Sequence, residues 1–359
     1  MLFEPLALRG ITFPNRAWVS PMCQHSATDG CATDWHLVHL GSRAVGGAGL
    51  VMVESTAIRA DGRISPYDAG LWSDQQIDSW RRITDFLREN GARSGVQLSH
   101  AGRKASTYRP WEGTGPLPAE EGGWPTVAPS ALAYTGFSTP HALTEQEISE
   151  IVVQFGDAAV RAHRTGFDVV EIHAAHGYLL HQFLSPLSNT RTDGYGGSFD
   201  ARIRLTVEVV REIRSRLPES TPVFLRVSAT DWTDGGWDLD DTVELSRRVR
   251  DLGVDLIDVS TGGNVSNARI PVHPGYQVSF AERIRRACDL PTAAVGLINT
   301  PEQAATIIAT GQADAVMIGR AHLDDPYWVR HAAAAHGHQV RIDQYDRPDL
   351  RKSTTSAGR

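Results

Sequence analysis

The sequence predicts a single α/β domain built as a (β/α)8 TIM barrel, with an N-terminal hairpin plug and a long insertion after the third strand. Three observations predict it. Eight short, nearly continuous apolar runs recur along the 359 residues, the pattern of strands buried on both faces. Amphipathic helical stretches lie between them, so strand and helix alternate as in βα units. No G-x-G-x-x-G fingerprint follows the first run, which removes the main support for a doubly wound open sheet.

The elements follow in order. The segment LFEPLALRGITFPNR (2–16) has two strand-like pieces around Arg9 and Gly10 and reads as the hairpin under the barrel. The strands are AWVSPM (17–22), GLVMVES (49–55), SGVQLSH (94–100), DVVEIHA (168–174), PVFLRVS (222–228), LIDVSTG (256–262), PTAAVG (291–296) and AVMIGR (315–320). Helices are expected over 78–91, closed by a Gly, and over 144–166, opened by a Thr144/Glu147 capping box. Others are expected over 200–217, from Asp200, and over 238–253, 279–288 and 300–311, where Thr300-Pro301 sets an N-cap and first-turn proline. Residues 101–143 are rich in Gly, Pro and Trp, and a long insertion at a barrel mouth reads as a lid or pocket wall. The barrel is expected to fill residues 1–340, with a polar tail over 341–359.

Composition narrows the function. The formal net charge of −7 argues against nucleic-acid binding. No apolar run is long enough for a membrane span, and MLFEPLALRG lacks the basic-then-apolar order of a signal peptide. Cys23, Cys31 and Cys288 are too few and too irregular for a disulfide framework or a metal knuckle. A reducing, cytoplasmic setting is expected.

Polar residues at the C-terminal ends of barrel strands face the active site. Here they are Cys23, Glu54 and Ser55, Gln97 and His100, His173 and His176, Arg226 and Ser260, with Gly296 after the seventh strand and Gly319-Arg320 after the eighth. Glycines at those last two places let backbone N–H groups approach a phosphate, and Arg320 adds charge. A guanidinium in a barrel mouth needs a partner: Arg226 faces either an acid such as Glu171 or a cofactor that becomes anionic. Gln97 offers donor and acceptor to a pyrimidine-like ring edge. His173 and His176 admit three readings: two of the ligands of a metal, satisfied rim residues, or donors to an oxygen that gains negative charge beside Tyr178 as proton source. No HExxH pattern and no third ligand support the metal. His181 is expected on the following helix, apart from the pair.

The stretches SPMCQ (20–24), VQLSHAGRK (96–104), GFDVVEIHAAHGYLLHQFLSPLSNTRTDGYGGS (166–198), FLRVSATD (224–231) and MIGRAHLDDP (317–326) together resemble the old yellow enzyme family of FMN-dependent ene-reductases. Cys23 and the closing QYDR (344–347) resemble its thermophilic-like, xenobiotic-reductase branch. The resemblance runs from Leu2 to about Arg347 and implies non-covalent FMN, with NADPH or NADH as hydride donor. It implies that Ser20, Pro21, Met22 and Cys23 run beside the flavin ring, Cys23 tuning its potential. Ser55, Gln97 and Arg226 would hold the ring's polar edge, and Gly296, Gly319 and Arg320 its phosphate. His173 and His176 would bind the oxygen of an enone, enal, imide or nitroalkene, and Tyr178 would protonate its α-carbon. Arg347 would reach a neighbouring site in a homodimer or homotetramer.

Two positions depart from the family pattern. His25 stands where the branch commonly has a substrate-wall Tyr, which adds a titratable group. Ser55 stands at a position the family gives to a small residue, so a backbone contact should survive. Two other functions fit the same barrel: a flavin-binding sensor or scaffold, and a dienoyl-CoA-reductase-like enzyme. The second usually adds an iron–sulfur cluster and a further domain, and this chain has no cysteine cluster.

Overall fold

A computed structural model describes residues 1–345. Strands β1 (Leu6–Leu8) and β2 (Ile11–Phe13) pair antiparallel as the expected hairpin. Leu8 and Phe13 pack with Trp18, Met52, Phe224 and Met317 in one apolar cluster that closes the barrel floor. The Phe13 and Trp18 rings lie 4.8 Å apart, and Trp18 stacks on Phe224. Phe13 is fully buried there, so Phe13→Ala is expected to cost about 3–5 kcal/mol through lost burial and the cavity left behind. Urea unfolding of the two proteins measures it.

The chain then enters the barrel. Strand β3 (Ala17–Val19), helix α1 (Asp34–Val45) and strand β4 (Leu50–Ala57) come first, then helix α2 (Ile77–Glu89) and strand β5 (Arg93–Ser99). The insertion holds two short paired strands, β6 (Val127–Ala128) and β7 (His141–Ala142), within mostly irregular chain. Helix α3 (Glu145–Thr165) and strand β8 (Val169–Ala174) follow, then helices α4 (Leu179–Leu184) and α5 (Phe199–Arg216). Strand β9 (Val223–Ser228), helix α6 (Leu239–Arg250), strand β10 (Leu256–Ser260) and helix α7 (Val278–Cys288) continue the alternation. Strand β11 (Thr292–Ala294), helix α8 (Pro301–Ala309) and strand β12 (Ala315–Ile318) complete it, followed by helices α9 (Arg320–Asp324) and α10 (Trp328–Ala335).

Eight parallel strands close in the order β3-β4-β5-β8-β9-β10-β11-β12, with Met317 of β12 opposite Trp18 of β3. All eight expected strands are present, because residues buried on both faces leave an unmistakable apolar run. The Thr144 cap accepts from the Glu147 N–H as expected. The third expected helix starts at Phe199 rather than Asp200, because the Ser198 hydroxyl accepts the N–H of Ala201 and makes Ser198 the cap.

Helix α1 is not legible in the sequence, and its burial explains why. It turns His36, His39 and Arg43 inward with Leu40 and Ala44, while Trp35 and Val38 are 54% and 65% exposed. That inverts the usual polar-out pattern. Among the described residues no helix is long and apolar enough to cross a membrane.

Candidate active site

The site is assembled at the C-terminal ends of the barrel strands. The first loop, residues 20–25, is pinned at its start by the Ser20 N–H donating to the Ile318 carbonyl at 3.0 Å. Further along, the Gln24 N–H donates to Glu54 Oε2 at 2.6 Å. The other oxygen of Glu54 lies 3.2 Å from His36 Nε2 on α1. Thus the inverted helix holds the carboxylate that holds the loop. Burial, then the charges of Asp68 and Glu54, push the Cys23 thiol up, so it stays protonated.

A bulge between Val53 and Ser55 brings Ser55 opposite Gln97 on β5. The Gln97 amide nitrogen donates to Glu171 Oε1 at 2.8 Å. Burial and the charge of Asp258 push the Glu171 carboxyl up. Glu171 feels the charge of Arg226, but the acid in ion-pair contact with it is Asp258. The two face each other across β9 and β10, Arg226 Nε lying 3.2 Å from Asp258 Oδ2. Arg226 is 5% exposed, and its terminal nitrogens have no partner among the described residues.

His173 ends β8 and His176 sits in the turn after it. His176 has a φ of +60°, a conformation an L residue adopts only when its surroundings impose it. Here its N–H donates to Ser228 Oγ at 2.9 Å and its carbonyl accepts from Lys104 Nζ at 2.8 Å. A Cβ on Gly263 would lie 2.6 Å from the His176 Cα, so the facing loop needs glycine there. His181, on α4, supports the turn from below. Its Nδ1 accepts the Gly177 N–H at 2.9 Å and its Nε2 lies 3.0 Å from Asp231 Oδ1.

The two histidines therefore meet. His173 Nδ1 accepts the Ala175 N–H, leaving its proton on Nε2, which lies 3.4 Å from His176 Nδ1. His176 Nε2 contacts Ser260 Oγ at 2.7 Å. Burial, and then the charge of Arg226, lower both imidazoles well below the ordinary histidine range, so both are neutral. The Tyr178 ring stands edge-on to His173 with centroids 5.1 Å apart. Burial raises its hydroxyl, which keeps the proton. Lys104 Nζ lies 5.2 Å from that ring, and burial beside Arg103 lowers its ammonium to about 8. Among the described residues no group of three or more His, Cys, Asp or Glu side chains is placed to hold a metal ion.

A cavity of about 150 Å3 lies on the far side, lined by Ser260, Gln277, Gly296, Gly319 and Arg320. A Cβ on Gly319 would come into ordinary contact with Met22 Sδ at 3.7 Å and Ser20 Cβ at 4.0 Å, so the 20–25 loop lies against the glycine that lines this cavity. The structure thus brings Ser20, Met22, Gly319 and Arg320 together, and joins His173, His176 and Tyr178. Arg347 lies outside the described residues. His25 is not a solvated rim side chain: it is buried and bonded to Asp68. Among the residues missed in the sequence are Asp258 and the role of Lys104. Each carried a signal: an acid inside a buried run, and one of only two lysines in an arginine-rich chain.

A model of the NADH:flavin oxidoreductase / NADH oxidase family matches residues 1–338. An NADH:flavin oxidoreductase of Gibberella zeae is 47% identical over 360 residues, covering 95% of this chain and 87% of that protein. The NADPH dehydrogenase of Listeria innocua is 45% identical over 350 residues, covering 96% and 98%. Among solved structures, morphinone reductase superposes with a TM-score of 0.78 at 28% identity, over 97% of this chain and 92% of that one. An old yellow enzyme homologue from Zymomonas mobilis gives 0.76 at 26%, over 96% and 95%. A 2-naphthoyl-CoA reductase gives 0.84 at 25%, over 94% of this chain but 52% of that one, so this chain spans about half its length.

Proposed function

The chain belongs to the NADH:flavin oxidoreductase / NADH oxidase family, that of the old yellow enzymes, and from that premise we propose that it reduces the C=C bond of α,β-unsaturated carbonyl and nitro compounds. It is an FMN-dependent NAD(P)H oxidoreductase. Bound FMN supplies the chemistry of accepting a hydride from NADPH or NADH and passing it to the alkene. The residues present fit that group. Arg226 is buried with its terminal nitrogens unpaired, as an electron-rich ring edge requires, and Gln97 lies two barrel strands away. The cradle at Gly319 with Arg320 fits a phosphate.

In this reading Ser20, Pro21, Met22 and Cys23 flank the ring, and Ser55, Gln97 and Arg226 hold its polar edge. Gly296, Gly319 and Arg320 hold the phosphate. His173 and His176 hold the substrate's activating oxygen. Being neutral, they stabilise charge that builds there without giving up a proton. The proton for the α-carbon comes from Tyr178, a hydroxyl that burial keeps protonated at neutral pH. Lys104 fixes the turn through two carbonyls, those of His176 and Gly263, at 2.8 and 3.0 Å. His25 and the partner subunit's Arg347 complete the substrate wall.

The observation that carries this reading is the neutral imidazole pair with a protonated tyrosine at 5.1 Å in one barrel mouth. A sensor or scaffold has no use for a proton donor there. Product analysis tests it: NADPH with 2-cyclohexenone, a maleimide or a nitroalkene should give saturated product in step with NADPH consumed. NADPH loss with every alkene recovered unchanged would refute it.

Arg226→Leu separates cofactor holding from folding. Removing one member of a buried ion pair costs roughly 3–5 kcal/mol because the other charge stays behind. The variant is expected to melt earlier and to lose flavin on gel filtration. Arg226→Leu with Asp258→Leu should recover the melting temperature and still lose flavin, read as the ratio of flavin to protein absorbance.

A further inference from the structure

His25 sits two residues past Cys23 on the mouth loop, at a φ of +47° and 7% exposure. Its Nδ1 lies 2.8 Å from Asp68 Oδ1 and 2.9 Å from Ser65 Oγ. Asp68 already accepts from the Ile64 N–H on Oδ2 at 2.7 Å and from the Ser65 hydroxyl on Oδ1 at 2.8 Å, so both its oxygens serve as acceptors. The Ser65 proton is committed to Asp68. The imidazole must therefore carry its own proton on Nδ1, pointing at Asp68. Its other nitrogen, Nε2, has no hydrogen-bond partner among the described residues.

That commitment fixes what Nε2 does. In a neutral ring Nε2 only accepts; in a charged ring it only donates, and carries positive charge to the mouth. The Tyr commonly found at this position in the family would donate and accept at any neutral pH. We propose that His25, held by Asp68, is a specificity-determining residue that selects alkenes bearing a carboxylate across the double bond from the activating carbonyl, such as 4-oxo-2-enoic acids. The selection is strong while the ring is charged and fades as it loses its proton.

The groups facing His25 set where this happens. Burial opposes the charged ring; the hydrogen bond and charge of Asp68, then Glu54 on β4, outweigh it, and Arg109 of the insertion opposes it. The net effect raises the imidazole above its ordinary value. Trp111 of the insertion stands edge-on to the His25 ring, with centroids 6.1 Å apart. Asp68 also raises the Cys23 thiol and the Tyr178 hydroxyl, which places His25 and the proton donor in one electrostatic neighbourhood. Both of those groups stay neutral near pH 6–9, but Lys104, lowered to about 8, loses charge in that range. A control lacking His25 is therefore required.

The choice of substrates rests on the ene-reductase reading, so binding is measured as well as turnover. The holoenzyme is titrated calorimetrically with levulinate and with 2-pentanone near pH 6 and near pH 9, and kcat/KM is taken for 4-oxopent-2-enoate and its methyl ester. In the wild type the preference for the carboxylate is expected to fall about tenfold between the two pH values, the worth of one charge-assisted hydrogen bond. In His25→Gln only the smaller Lys104 contribution should remain, and in Asp68→Asn the fall should move to lower pH. An equal fall in His25→Gln, or none in the wild type, overturns the inference. If neither alkene is reduced but the levulinate preference behaves as described, the ene-reductase reading fails and the role of His25 stands.

Discussion

Tyr178→Phe is expected to slow alkene reduction by about 10²–10⁴-fold, the usual worth of a positioned general acid, while flavin reduction by NAD(P)H keeps its wild-type rate. The asymmetry follows from where the hydroxyl acts. Only the alkene half of the cycle needs a proton, and burial keeps the Tyr178 hydroxyl protonated at neutral pH in this mouth. The Cys23 thiol also keeps its proton but sits on the opposite loop. The ring contacts of Tyr178 with His173 and Lys104 survive the change to Phe, so the fold around it should be kept. Anaerobic stopped-flow on each half-reaction reads the difference. Equal slowing of both would remove the proton-donor role.

His173→Ala has the second large effect. It deletes one of two neutral donors to the substrate oxygen, and by analogy with oxyanion holes it should cost about 10²–10³-fold in the alkene step. It also strips the His176 ring of its 3.4 Å neighbour and leaves that ring with its contact to Ser260. Binding of saturated ketones should weaken as well, because the ground-state carbonyl uses the same donors. The pH profile offers a check of sign. Both imidazoles are lowered well below the ordinary histidine value. Their neutral, active form is therefore kept as pH falls through about 6.5, and the wild-type alkene step should show no acid limb there from this pair. An acid limb centred near 6.5 that vanishes in His173→Ala would contradict the neutral-donor account.

The barrel was legible because its strands are buried on both faces and announce themselves as apolar runs. Helix α1 was not, because it faces inward with the polar residues His36, His39 and Arg43, His36 reaching Glu54 of the mouth. The histidine pair and Tyr178 were legible because they crowd into one turn after one strand. The pairing of Arg226 with Asp258 was not: the two lie on neighbouring strands, and only the register of β9 against β10 sets them face to face. His25 was visible as an odd residue at its position, but its anchor, Asp68, lies forty-three residues away on another loop, and spacing alone does not reveal such a contact.

The proposed function is that this mouth passes electrons from NAD(P)H to an activated C=C bond. Its most direct test is a single anaerobic turnover. The purified protein is reduced with one equivalent of NADPH until the flavin absorbance bleaches, then mixed with 2-cyclohexenone. The account predicts that the yellow colour returns without oxygen, with one cyclohexanone formed per flavin. A flavin that stays bleached until air is admitted, with the enone intact, would contradict it.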